Sequence, residues 1–96
     1  MQVYAYYNTF MKTFAQPFFD DHDVETTVKG IKKSLQFAYH QNAQDIANKL
    51  GLCELYHLGT FDEETGLIKS EVSLIFKVGE VLGLPEYKLE DGEIDG

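Results

Sequence analysis

A helical stripe sits between two alternating stretches, and few folds accommodate that order. Val24, Val28, Ile31, Leu35 and Tyr39 recur at steps of four, three, four and four, which places them on one face of a helix. Asp20, Asp21, His22 and Asp23 precede the stripe, and Asp23 is the expected N-cap, because a carboxylate there accepts the free N–H groups of the first turn. Lys29, Lys32, Lys33 and Gln36 fall on the opposite, wet face. Asn42 opens a second, shorter stripe of Ala43, Ile46, Ala47 and Leu50, and Gly51 stands where a left-handed C-terminal residue is expected. The span 24–50 therefore reads as a helix followed by a second helix, or as one helix broken near 40–42.

Upstream, Val3, Ala5 and Tyr7 alternate with Tyr4, Tyr6 and Asn8, the period of a strand. Lys12 to Phe19 reads as its hairpin partner, confined to a sheet edge because Pro17 lacks a ladder donor. Downstream, Leu52, Tyr56 and Leu58 alternate with Cys53, Leu55, His57 and Phe61. Asp62-Glu63-Glu64-Thr65-Gly66 is a hairpin loop, after which Leu67 and Ile68 return as a short strand. The stretch from Ser70 to Leu84 fits both periods. A helix is the preferred reading, since Ser70-Glu71 resembles a cap and the stretch exceeds ordinary strand length. The order predicts an α+β fold: a small antiparallel sheet of two hairpins with helices packed on one face. A single domain is expected over 1–84, followed by a flexible acidic tail over 85–96.

Charge narrows the function classes. The 96 residues carry a net charge of -8, and all eight cations are Lys. Without Arg, the usual bidentate donor for phosphate, carboxylate or guanine is missing. The lysines concentrate in one place: Lys29, Lys32, Lys33 and Lys49 outnumber Glu25 and Asp45 across 24–50, which leaves a locally basic helix on an acidic body. Cys53 is the only cysteine, so a disulfide scaffold is excluded. No apolar run is long enough to span a bilayer, and the opening residues lack a signal-peptide pattern, which together suggest a cytosolic protein.

Catalytic and cofactor patterns are sparse. There is no phosphate-cradling glycine loop and no metalloprotease helix motif, so no cofactor and no enzymatic activity are expected. Cys53, Glu54 and His57 sit on one strand, whereas catalytic groups usually converge from different elements. The acids and His22 at 20–23 read as a helix start rather than a metal site. The aromatics are the stronger signal. Of seven Phe and six Tyr, Tyr4, Tyr6, Tyr7, Phe10, Phe14 and Phe18 crowd into one short stretch. Such rings serve as core, as a dimer interface, or as platforms on which bases stack.

Two segments resemble a known family. Val3-Tyr4-Ala5-Tyr6-Tyr7-Asn8, followed by Gln16-Pro17-Phe18-Phe19, resembles the opening of the small nonstructural protein of gokushovirus-type microviruses, phages with circular single-stranded DNA. Leu55 to Gly66, with its Leu-Gly-x-Phe-Asp and Thr-Gly, resembles that family's second strand pair. The resemblance implies a DNA-binding protein of the host bacterial cytoplasm, active in the switch from duplex replication to single-strand synthesis and packaging. On that reading Tyr4 and Tyr6 stack on single-stranded DNA, while Lys12, Lys29, Lys32 and Lys33 contact phosphates. Phage or host replication proteins are the other expected partners, and a homo-oligomer is expected. Two rival readings stand beside it: a homodimeric assembly module joined through an aromatic sheet face, and an acidic decoy for a host nucleic-acid-binding protein.

Overall fold

A computed structural model describes residues 1–85. The acidic tail expected over 85–96 lies, from residue 86 onward, outside the described residues. The strands are β1 (Gln2–Asn8), β2 (Thr13–Phe14), β3 (Phe18–Asp20), β4 (Cys53–Phe61) and β5 (Ile68–Lys77). The helices are α1 (Val24–Gln41), α2 (Ala43–Leu50) and α3 (Val78–Leu82). Every strand pairing is antiparallel, and the helices pack against the sheet, which is the expected α+β arrangement.

The first hairpin is tightened by Asn8, whose Oδ1 accepts from the N–H groups of Phe10 and Met11 at 2.9 Å each. Lys12 takes a positive φ of 61° to complete the turn. The returning chain does not form one strand. Gln16 and Pro17 interrupt it, so β2 and β3 are two pieces lying along the same edge of β1. Ala15 keeps the ladder between them, its N–H donating to the Tyr6 carbonyl at 2.8 Å. On its other edge β1 pairs with β4, and β4 with β5.

Three register shifts interrupt the ladders; the one where Leu58 opposes both Glu71 and Val72 leaves the alternation of β5 intact, and the other two decide which residues share a face. Val3 pairs with Gly59 but Tyr4 pairs with His57, so Leu58 is the extra residue on β4. Likewise Leu55 pairs with Phe76 and Tyr56 with Leu74, so Ile75 is extra on β5. The first bulge corrects the expected grouping of Phe61 with Cys53 and Leu55: Phe61 lies on the opposite face, beside Phe19.

The helix expected from Ser70 to Leu84 is also corrected. β5 runs to Lys77, and only Val78 to Leu82 are helical. The bulge at Ile75 shifts the strand's alternation by one residue, so Val72, Ile75 and Phe76 mimic a helical stripe although the backbone is extended. Gly51 is not left-handed either: its φ is -60°. Its need for glycine is steric, since a Cβ there would fall on the Ala47 carbonyl oxygen.

Asp23 caps α1 as expected, its side chain accepting from the Thr26 N–H at 3.2 Å. Asn42 makes no side-chain cap, but its own N–H closes α1 on the Ala38 carbonyl at 2.9 Å. The core is a layer of Tyr4, Leu35, Cys53, Leu55, Phe76 and Val78, with Val28, Ile31 and Phe18 packed against it. Leu55 has no exposed surface; burying such a side chain stabilises by about 1.5–3 kcal/mol.

Candidate interaction face

The helices cover the face that carries Tyr4 and Tyr6. Tyr4 is wholly buried, stacked on Phe18 at 5.5 Å between ring centroids and edge-on to His57 at 5.3 Å. Burial raises its pKa, and the nearby Thr27 hydroxyl, which donates to Asp20, leaves the Tyr4 hydroxyl without a hydrogen bond of ordinary geometry. Tyr6 is half-buried against the same core, 6.2 Å from the Phe18 ring, and burial raises its pKa as well. Tyr4 offers no free surface, so its expected base stacking is corrected to a core role, and Tyr6, half-buried, packs against the same core beside α1.

The expected cations do not join them. Lys29 and Lys33 are exposed on α1, with Lys29 Nζ 3.9 Å from the Glu25 carboxylate. Lys32 leans over the Phe76 ring at 5.8 Å, a cation–π contact. Lys12 stands exposed in the β1–β2 turn. The two tyrosines lie under the helix and the α1 lysines lie on it, so no shared ring-and-ammonium patch forms. Alternation states which residues share a face, but not which face the helices cover. That choice follows from Val28, Ile31 and Leu35 meeting Leu55 and Phe76.

The opposite face of the sheet holds the exposed rings. Tyr7, Phe14 and Tyr56 form a triangle with centroid separations of 4.9, 5.4 and 6.0 Å. Phe19 and Phe61 form a second group, edge-on at 5.6 Å. Ala5, paired with Tyr56, and Val3, paired with Phe19 and Gly59, are buried and make the floor between the groups. On β5, Leu74 pairs with Tyr56 and Ile68 with Phe61, and the alternation puts Val72 on the same side. Phe14 and Phe19 remain 47% and 48% exposed, too much for ordinary core rings.

Charge is scarce on this face. Among the described strand residues the register sets only Glu54 and Lys77 there, directly across from one another. Tyr56 donates its hydroxyl to Glu54 Oε1 at 3.0 Å, and desolvation followed by that bond raises the tyrosine pKa. An apolar, aromatic and nearly uncharged surface of this extent fits the interior of an interface better than open water.

Other functional candidates resolve into structure. Asp20 Oδ1 accepts from the His22 N–H at 2.8 Å and the Thr27 hydroxyl at 2.8 Å, and faces His22 Nδ1 at 2.9 Å. Cys53 and His57 flank Leu55 on β4, with His57 Nε2 2.7 Å from Gln2 Oε1. Burial raises the Cys53 pKa, which favours the inert thiol. The Leu-Gly-x-Phe-Asp and Thr-Gly signature also has a local account. Gly59 sits at the bulge with φ 144°, Asp62 Oδ1 accepts from Glu64 and Thr65 N–H groups, and Gly66 supplies φ 76°. Among the described residues no helix is long and apolar enough to cross a membrane. No family model, no curated protein and no solved structure matches the chain.

Proposed function

We propose that this chain is a non-enzymatic nonstructural protein of the microvirus type, working in the host cytoplasm as an assembly module in viral DNA synthesis or packaging. Its contact surface is the helix-free aromatic face. One observation supports this above the others: Phe14 and Phe19, on the edge strands β2 and β3, stay half exposed on an apolar sheet face that no helix of the described chain covers. The partner is a protein with an apolar surface, because the face offers little to neutralise phosphates.

Direct stacking on single-stranded DNA is the second reading, favoured by the five rings on that face and by the family resemblance. Fluorescence anisotropy with a labelled single-stranded oligonucleotide at low salt separates the two. The assembly reading expects no saturable binding at tens of micromolar protein. Saturable binding abolished by Phe14→Ser transfers the face to nucleic acid. Binding abolished by Lys29→Glu and Lys33→Glu, with Phe14→Ser inert, overturns the aromatic face as the working surface.

A further inference from the structure

The two edges of the sheet are treated differently. The edge beside β1 is broken into strands of two and three residues with Pro17 between them, which blunts it against pairing with another chain. The other edge is β5, ten residues long and without proline; among the described strands it pairs with β4 alone, and its register slips at Ile75 and again opposite Leu58. Residues 68–74 are exposed throughout, so neither a helix nor a loop of the described chain shields this stretch. Ile68 and Val72 are 65% and 60% exposed. A long unprotected edge presents a row of free N–H and C=O groups, a ready template for another strand.

Its charges identify the strand that fits. Lys69 and Glu71 flank Ser70 with opposite signs, and by alternation they point to the same side of the sheet. When a strand pairs antiparallel with its own copy about a two-fold axis, residues equidistant from the axis face each other. An axis through Ser70 therefore sets Lys69 across from Glu71 of the second copy, and does so twice. The same axis sets Ile68 across from Val72 on the aromatic side, also twice. Neighbouring registers lack this match: axes through Lys69 or Glu71 oppose like charges, and an axis through Ser73 opposes Lys69 to Lys77. Opposite-charge cross-strand pairs stabilise a ladder, and like pairs destabilise it.

We propose that a second copy of this chain is the occupant of the β5 edge, pairing antiparallel about Ser70. The joined sheet then carries both helix layers on one side and the two aromatic faces side by side on the other. The pairing is independent of what those faces bind, and its test reads mass alone.

Sedimentation equilibrium of the full chain at physiological salt, up to hundreds of micromolar, is the experiment. The native chain is expected to sediment toward twice 10.9 kDa. Lys69→Glu and Glu71→Lys are each expected to weaken the dimer by about tenfold or more, since either change turns both charge pairs repulsive. Mixing those two variants restores dimerisation, because one chain then carries acids at both positions and meets a chain that carries lysines at both. The double exchange Lys69→Glu with Glu71→Lys dimerises like the native chain. Both positions are exposed, and circular dichroism confirms that each variant is folded. A monomeric native chain overturns the proposal, as does a dimer that either single variant leaves unchanged or that the mixture fails to restore. Whatever the mass, binding through Phe14 and Phe19 is read separately.

Discussion

Thr27 donates its hydroxyl to Asp20 Oδ1 at 2.8 Å, tying the first turn of α1 to the last residue of β3. The bond spans the corner where the first hairpin gives way to the helix layer. Thr27 is 7% exposed, so a lost partner there is not readily replaced by water. Thr27→Val keeps the shape and removes the donor. It is expected to lower stability by about 1 kcal/mol in urea unfolding, without changing the far-ultraviolet dichroism.

The same corner contributes a pH dependence of known sign. The carboxyls of Asp20, Asp23 and Asp62 all titrate below the ordinary aspartate value, chiefly because the backbone N–H groups of His22 and Glu64 donate to Asp20 and Asp62, and because the Thr26 side chain, helped by its backbone N–H, donates to Asp23. A lowered folded value means that stabilisation is complete above the unfolded pKa, about 3.9, and fades as pH falls from there through the folded value. Melting temperatures of the native chain and Asp20→Asn, measured from pH 6 to pH 3, are expected to converge as the pH falls. A gap that widens in acid contradicts the assignment.

Tyr4 offers the opposite case, a polar atom that the fold buries without a partner. Tyr4→Phe removes the desolvated hydroxyl and keeps the ring stacked on Phe18. The variant is expected to be at least as stable as the native chain, by up to about 1 kcal/mol. Under the base-stacking role expected from sequence, the same change would have been read in binding; here it is read in the melting curve.

The glycines of the second hairpin separate strain from space. A Cβ on Gly59 would fall on the Lys69 carbonyl oxygen of the paired strand, with the backbone at φ 144°. Gly59→Ala is expected to cost on the order of 3 kcal/mol and to loosen the β4–β5 register. Gly66 is left-handed at φ 76° with open space around it, so Gly66→Ala is expected to cost only about 1–2 kcal/mol. Equal losses in urea unfolding would contradict this distinction.

Much of the fold was legible because local chemistry and tertiary packing agree. The stripe from Val24 to Tyr39 runs within α1, Asp23 caps it, and Pro17 marks a blunted edge. The errors cluster where one extra residue changes the register. Leu58 moves Phe61 to the other face, and Ile75 makes an extended strand resemble a helical stripe. The site was misplaced for a related reason. Alternation put Tyr4 with Tyr6 and Val3 with Tyr7 correctly, but only the packing of α1 determines which pair is covered. The crowd of aromatics between Tyr4 and Phe18 signalled a surplus over what one core face can bury. The surplus members are Tyr7, Phe10 and Phe14; Phe10 stands exposed in the first turn, while Tyr7 and Phe14 are joined on the open face by Phe19, Tyr56 and Phe61.

The most direct measurement places a photo-crosslinking residue at Phe14, at Phe19 or at Phe37, the last a more accessible ring on α1 that lies away from the aromatic face. Irradiation in host cells producing the phage, under the function proposed above, is expected to yield discrete protein adducts from positions 14 and 19 and none of the same mass from position 37. Equal labelling from all three positions, or adducts from position 37 alone, contradicts the assignment of the helix-free face as the surface through which this protein works.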